Sequence, residues 1–524
     1  MFQSDRPFRK EGLAASETGE WSSQSIADGN VFQAPLASLV PSKRILSVRP
    51  EWVNEFLLAG NDSQVCLSIG RPVERRELRQ LVEQQQRELA AAGLAAGGTV
   101  SLVLPPSLAF VACLLAGWRL GAQVSLLDHR LAPREVDRAI GSLAPQVVVT
   151  GEKVSGPALA GYAQVDPVTT ARADGRPAAT GHALIQLSSG STGPSKVIGR
   201  TAAELIGELD RYSRLDAYPK PGSRIVLLAS IVHVLGLVGG LLHSLHAGVE
   251  LVYPNRITAD GIMDAVAAGS EPTMVLGVPF HAELLCAATA PRPLPQLVRM
   301  VVAGELTRPG VPDRFTGQYR VPLGSMYGMT ELGVIATDLN GTLRPAVDPA
   351  PGMEVSLADG ELLVRMAASP YVGLADPTRW ADGWLHTRDA ARIDAGTGLV
   401  TILGRRDSQI SVGGLKVDLT EVEQTLCALP QVDTAVVLHD AEITAFVVLH
   451  QGASLDVTEA ALAQELAAYK RPRRLHVLAE MPRTATGKIV RDRNALRAAA
   501  SLNQLSHTTP AATVPRPEPR EGTT

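Results

Sequence analysis

Apolar and polar positions along this chain follow two alternating periods. RRELRQLVEQQQRELAAAGL, from Arg75 to Leu94, spaces its apolar residues for one face of a helix and meets a C-capping glycine at Gly93. TVSLVLP is a short strand, SLAFVACLLAGWRLGA a buried helix, and QVSLLD, REVDRAIGSLAP and QVVVTG continue the alternation. Further units follow at RIVLLAS, VELVYP, TMVLGVP and LVRMVVAGE. Strands separated by helices predict layered α/β sheets that are largely parallel. Near residue 350 the pattern shortens: MEVSLADGELLVRMAASPYVGL and DAARIDAGTGLVTILGR read as brief strands and turns, an antiparallel subdomain. After Asp407 a small α+β unit follows in TEVEQTLCAL, VDTAVVLHD, ITAFVVLH and TEAALAQELAAY.

The expected organisation is a disordered arm over 1–35, a large α/β domain with its antiparallel β subdomain over 36–406, a small α+β domain over 407–500, and a Pro/Thr-rich disordered tail over 501–524. A chain of 524 residues exceeds what one hydrophobic core usually serves, which agrees with more than one domain. The run Ile225 to Leu242, IVLLASIVHVLGLVGGLL, has about the length a bilayer requires. Ser230 and His233 lie inside it, and Gly236, Gly239 and Gly240 interrupt it. It reads as a buried strand, a loop at His233 and a packed helix, so no membrane span is expected. The net charge of −4 offers no basic surplus for a nucleic-acid partner. Cys66, Cys113, Cys286 and Cys427 lack metal or disulfide spacing. They are expected to be reduced, mostly in apolar surroundings. The opening residues lack the apolar stretch of a signal peptide, and a cytoplasmic location is expected.

Four segments carry candidate chemistry. The first, Ser188-Ser189-Gly190-Ser191-Thr192-Gly193-Pro194-Ser195-Lys196, follows a strand-like run. Its composition fits a flexible linker. It also fits a loop whose amides, hydroxyls and lysine face an anion, although it is not a Walker loop. The second, GSMYGMTELG, offers Tyr327 to stack on a flat ring, the Thr330 hydroxyl, and Glu331 as a hard oxygen ligand for Mg2+. A capped helix start explains the same residues. In the third, Asp389 can accept both hydroxyls of a ribose and Arg405 can donate to the same sugar; a pair of surface charges is the plainer alternative. The fourth, PRTATGKIVRD, presents Lys488 after Gly487 in a turn-prone stretch, where a lysine is ordinarily solvated.

Taken in order, these segments resemble the adenylate-forming superfamily of acyl-CoA synthetases, nonribosomal-peptide adenylation domains and luciferase-type enzymes, over roughly residues 45–497. The resemblance implies that Ser188 to Lys196 is the phosphate loop. It also implies that Tyr327, Thr330 and Glu331 serve adenine stacking, phosphate contact and Mg2+ binding. Gly304 and Glu305 fall where the family lines its adenine pocket, Asp389 and Arg405 match the ribose pair, Asp407 the hinge, and Lys488 the catalytic lysine of a mobile C-terminal domain. This chain departs from the usual pattern in three places. The loop ends Pro194-Ser195-Lys196-Val197 rather than Pro-Lys-Gly, Arg388 replaces a glycine before Asp389, and Ser411 replaces a lysine often seen after the hinge.

The implied activity is that of an acid–thiol ligase using ATP, Mg2+ and CoA, or the phosphopantetheine of a separate carrier protein. A carboxylic acid is activated as its acyl-adenylate with release of pyrophosphate, and the acyl group then passes to a thiol. His233 matches a histidine often found at the acid pocket, though a satisfied loop histidine is an equal alternative. Val234 falls near the aspartate that amino-acid-activating members use for the substrate ammonium, which disfavours an α-amino acid. Apolar neighbours at Leu276 to Phe280 and Met329 favour an aryl or aliphatic acid. Gly413 and Gly414 would allow close approach of a pantetheine arm. Loading of a carrier protein, amide formation, and a non-catalytic nucleotide-binding homologue remain alternatives.

Overall fold

The apolar runs TVSLV, QVSL, VVVTG and LIQLS form strands Thr99–Val103, Gln123–Leu126, Val147–Gly151 and Leu184–Ser188, which pair in parallel. In this computed structural model of the protein, the residues described are 50–151, 159–188, 196–307, 310–406, 408–482 and 489–506. All fall within one packed unit. Antiparallel strands Pro167–Ala171 and Lys196–Arg200 close the edges of this six-stranded sheet. A second, nine-stranded sheet is parallel through Val65–Ser68, Glu250–Val252, Arg224–Leu227, Thr273–Gly277, Leu297–Ala303 and Leu323–Met329, and antiparallel at both edges. One apolar cluster joins Val100, Val124 and Leu184 of the first sheet to Ile225, Leu251 and Met274 of the second. Phe110, Leu114 and Trp118 of helix Leu108–Arg119 belong to the same cluster.

The antiparallel subdomain is a five-stranded sheet built from Val355–Ala358, Glu361–Arg365, Trp380–Ala381, Trp384–Ile393 and Val400–Arg405. Beyond it come a hairpin, Gln409–Val412 with Leu415–Asp418, and a three-stranded sheet, Val432–His439, Ile443–Leu449 and Arg474–Leu478. Helices Leu419–Cys427 and Leu455–Glu465 pack against that last sheet's core through Val422, Leu426 and Leu462. The run after His233 becomes a π-helical stretch, Leu235–Leu242, continued by the α-helix His243–Ala247. Among the described residues no helix is long and apolar enough to cross a membrane.

Two expectations need correction. Regular structure does not end at residue 500, because helix Arg493–Ser506 runs six residues past that boundary. Leu496 and Ala500 of that helix bury against Val436 and Phe446, and this apolar contact outweighs the polar composition that follows. Only Cys66 and Cys113 are buried, whereas Cys286 is half-buried and Cys427 exposed. Burial pushes the Cys66 thiol up to about 11 and that of Cys113 up to about 12.

A buried ion pair ties the first sheet to the edge of the second. Arg200, at the end of strand Lys196–Arg200, meets Glu208 at 2.9 Å, with the two side chains 1% and 0% exposed. The other Glu208 oxygen accepts the Val334 amide at 3.1 Å. Gly333 is required there, because a Cβ would lie 2.1 Å from the Glu208 carboxyl and φ is +89°. Glu208→Ala would leave Arg200 buried without its partner. A loss of about 3–5 kcal/mol is expected in denaturant unfolding; a loss below about 1 kcal/mol would show that the pair does not hold this junction.

Candidate active site

Strand Trp384–Ile393 alternates strictly, burying Leu385, Thr387, Asp389 and Ala391 on one face. That alternation places a carboxylate on the inward face, where it needs partners. Arg405 is its register partner on strand Val400–Arg405, with Nη1 3.3 Å from Asp389 Oδ1. The Tyr327 hydroxyl donates to Asp389 Oδ2 at 2.6 Å, and Arg405 also donates to Gln409 Oε1 at 3.1 Å. Burial, then the adjacent carboxylate, pushes the Tyr327 phenol well above its ordinary pKa, so it stays a donor. Arg388, which replaces the usual glycine, takes a left-handed φ of 63°. This conformation costs a side-chain-bearing residue on the order of 1–2 kcal/mol. Its amide is held by Glu361 Oε1 at 2.8 Å and its guanidinium by the Thr378 carbonyl at 2.6 Å.

Thr330 and Glu331 lie in the turn between antiparallel strands Leu323–Met329 and Gly333–Asp338, not at a helix start. Glu331 is 9% exposed, and its Oε1 accepts the Tyr371 hydroxyl at 3.0 Å. Its other oxygen accepts no hydrogen bond from a described residue. Tyr371 bridges to Ile198, and the neighbouring Pro370 carbonyl accepts the Gly199 amide at 2.9 Å. The Glu331 turn is thereby tied to the strand that leaves the Ser/Gly/Thr loop. The ends of that loop, Ser188 and Lys196, are register partners in an antiparallel hairpin, so the segment does not link separate domains. Ser189, Gly190, Ser191, Thr192, Gly193, Asp407 and Lys488 lie outside the described residues.

Gly304 and Glu305 follow strand Leu297–Ala303 and meet the glycine hairpin of residues 409–418. Glu305 Oε1 accepts the Gly414 amide at 2.5 Å, and Lys416 Nζ donates to the Gly304 carbonyl at 2.9 Å. A Cβ on Gly414 would lie 2.3 Å from Val278 Cγ1, so only glycine allows this approach. Lys416 is the register partner of Ser411, and the hairpin thus carries a cation opposite the position where the lysine is missing. His233 Nε2 lies 3.7 Å from Asp128 Oδ2, beyond hydrogen-bond length. Burial opposes ionisation of Asp128, but His233 and Arg130 outweigh it and hold the carboxyl well below its usual range. Of the apolar residues expected at the acid, Val278 is buried, whereas Phe280 is 52% exposed.

Tyr371, Gln409 and Asp128 were not singled out by sequence. For Asp128 a signal existed, since LLDHR places charges at the carboxyl end of a parallel strand, where open α/β sheets bind ligands. Among the described residues no three His, Cys, Asp or Glu side chains form a metal cage. A single carboxylate such as Glu331 still suits Mg2+, which is commonly held by one or two carboxylates plus substrate phosphates.

Comparison with known proteins adds to this geometry. Residues 61–367 match the family described as AMP-binding enzyme, and residues 421–488 match the AMP-binding enzyme C-terminal domain. The chain is 28% identical over 505 residues to a 3-hydroxybenzoate–CoA/4-hydroxybenzoate–CoA ligase of Thauera aromatica, covering 85% of this chain and 96% of the relative. It is 31% identical over 296 residues to a 4-chlorobenzoate–CoA ligase of an Arthrobacter species, covering 50% of this chain and 56% of that protein. Among solved structures, o-succinylbenzoate CoA synthetase of Bacillus subtilis superposes with a TM-score of 0.71 at 21% identity, covering 86% of this chain and 98% of the other, a likeness of fold.

Proposed function

Because the chain belongs to the AMP-binding enzyme family and is an acid–thiol ligase of the AMP-forming kind, we propose that it joins an aromatic carboxylic acid to coenzyme A. The observation that carries this reading is the Tyr327–Asp389–Arg405 cluster, a buried carboxylate held by a phenol and a guanidinium beside the Glu331 turn. The aryl preference is supported by the two benzoate–CoA ligases among the relatives. Val234, a residue unable to pair with an ammonium, argues against an α-amino acid.

In the first half-reaction a carboxylate oxygen attacks the α-phosphorus of ATP. The bond to the β-phosphate oxygen breaks, and pyrophosphate leaves an acyl-adenylate. In the second, the thiol sulfur attacks the acyl carbon, AMP departs with the bridging oxygen, and the thiol proton is released. Asp389 would accept the ribose hydroxyls while Arg405 donates to the same sugar. The loop from Ser188 to Lys196 would surround the phosphates, and Lys488 would bridge the carboxylate and the α-phosphate. Glu331 would hold Mg2+, which when bound neutralises and orients phosphate oxygens. Tyr371 keeps one Glu331 oxygen engaged and so directs the other toward the phosphates. Tyr371→Phe removes one hydrogen bond worth about 1 kcal/mol. It is expected to raise the Mg2+ concentration that half-saturates ATP binding by roughly fivefold; an unchanged titration would exclude this role.

Acid-dependent pyrophosphate exchange across benzoates, fatty acids and α-amino acids tests the substrate class. Benzoates should exchange fastest. Preference for a fatty acid or an amino acid would overturn the aryl reading.

A further inference from the structure

A buried set of charges is left unused by the chemistry above. Lys470 is 7% exposed, and its Nζ lies 2.8 Å from Glu135 Oε1 and 2.9 Å from Glu421 Oε1. Glu135 belongs to helix Pro133–Leu143, which follows a strand of the six-stranded sheet. Its Oε2 accepts two amides, from Ala132 at 2.9 Å and from Ala467 at 2.6 Å. One carboxylate therefore caps its own helix and also grips the segment around Ala467. Burial alone would lower the Lys470 pKa, but Glu421, Tyr469 and Glu135 outweigh it and hold the ammonium charged.

Further contacts join the same two segments. Arg134 and Arg138 both pair with Glu465, the latter at 2.8 Å, and the Arg130 guanidinium lies 5.9 Å from the Tyr469 ring centre. Each group at the centre also has a partner on its own side of the junction. Were the segments to part, Lys470 would keep Glu421 and Glu135 would keep the Ala132 amide. Neither charge would be stranded, so the contact can be made and broken. A buried ion pair is poor evidence for net stability, but one satisfied in a single placement of two bodies specifies that placement.

The placement it accompanies brings the glycine hairpin onto Gly304 and Glu305. The described residues flanking Lys488 do not share that contact: Met481 and Ile489 pack with Val436, Phe446 and Leu496 in the core of the last sheet. We propose that Glu135 and Lys470 form a latch that selects the thiol-transfer placement of the C-terminal residues, which makes Glu135 a positioning residue for the second half-reaction alone. This rests on the two-step ligase reading above.

The test measures both half-reactions with one benzoate, as acid-dependent pyrophosphate exchange and as single-turnover consumption of preformed acyl-adenylate by CoA. Glu135→Gln keeps the shape and the helix cap but removes the charge that Lys470 reads. It should slow thiol transfer about 5- to 100-fold, the range of a typical coupling between states, while exchange is unchanged or faster. The double variant Arg134→Ala/Arg138→Ala alters side chains 65% and 55% exposed and spares the core. It should shift the same ratio in the same direction by a smaller factor, and it decides the matter if Glu135→Gln does not fold. Equal loss in both half-reactions, or unaltered transfer, would overturn the latch. Absence of exchange in the wild type with every acid would instead overturn the ligase reading and the latch with it. Wild-type activity in both steps without selectivity in the variants removes the latch alone.

Discussion

Lys488→Ala is expected to abolish adenylation while leaving thioester formation from preformed acyl-adenylate largely intact. As the carboxylate approaches the α-phosphate, two anionic groups are brought together, and a cation between them lowers the energy of that step. At an effective dielectric near 20, one contact at about 4 Å is worth about 4 kcal/mol. That corresponds to roughly a thousandfold in rate. The second half-reaction expels AMP from a neutral acyl carbon and does not require the same bridge. Survival of pyrophosphate exchange within about tenfold of wild type would remove Lys488 from this role. Equal loss in the thiol step would show a structural effect instead.

Asp389→Ala should have the next largest effect, expressed in the use of ATP rather than of the acid. The carboxylate is buried and holds both the Tyr327 hydroxyl and the Arg405 guanidinium. Its loss would remove two acceptors for ribose hydroxyls and leave both neighbours short of a partner. Hydrogen bonds to a charged group are worth about 1.5–3 kcal/mol each. A fall in kcat/KM for ATP of roughly a hundredfold or more is therefore expected, with kcat/KM for the acid at saturating ATP much less affected. Asp389→Asn, which retains one acceptor, should fall between. An ATP dependence within about threefold of wild type would place the ribose elsewhere.

The central strands were legible as short continuous apolar runs, and the helices because their apolar residues repeat every third or fourth position. In strand Trp384–Ile393 the alternation that buries Leu385, Thr387 and Ala391 also turns Asp389 inward, so the inward carboxylate is visible in the strand pattern once the strand is recognised. Its direct register with Arg405 was not visible, since pairing depends on the hairpin between the two strands. Tyr371 and Lys470 were missed for a related reason. Lys470, in AAYKRP, looks like any solvated lysine, because Glu135 and Glu421 reach it only after the chain has folded back. The Pro/Thr-rich composition that follows sets the expected domain boundary at 500, whereas helix Arg493–Ser506, anchored by Leu496 and Ala500, crosses it. Arg388 was noted as a departure, and its left-handed φ supplies the reason a glycine is usual there.

The most direct test of the two-step chemistry follows oxygen from the acid into AMP. A benzoate carrying oxygen-18 in both carboxylate positions is turned over with ATP and CoA, and the products are weighed by mass spectrometry. Attack on the α-phosphorus requires AMP to carry one labelled oxygen and the acyl-CoA to retain the other, with none in pyrophosphate. Unlabelled AMP, or ADP formed in place of AMP, would contradict an acyl-adenylate intermediate.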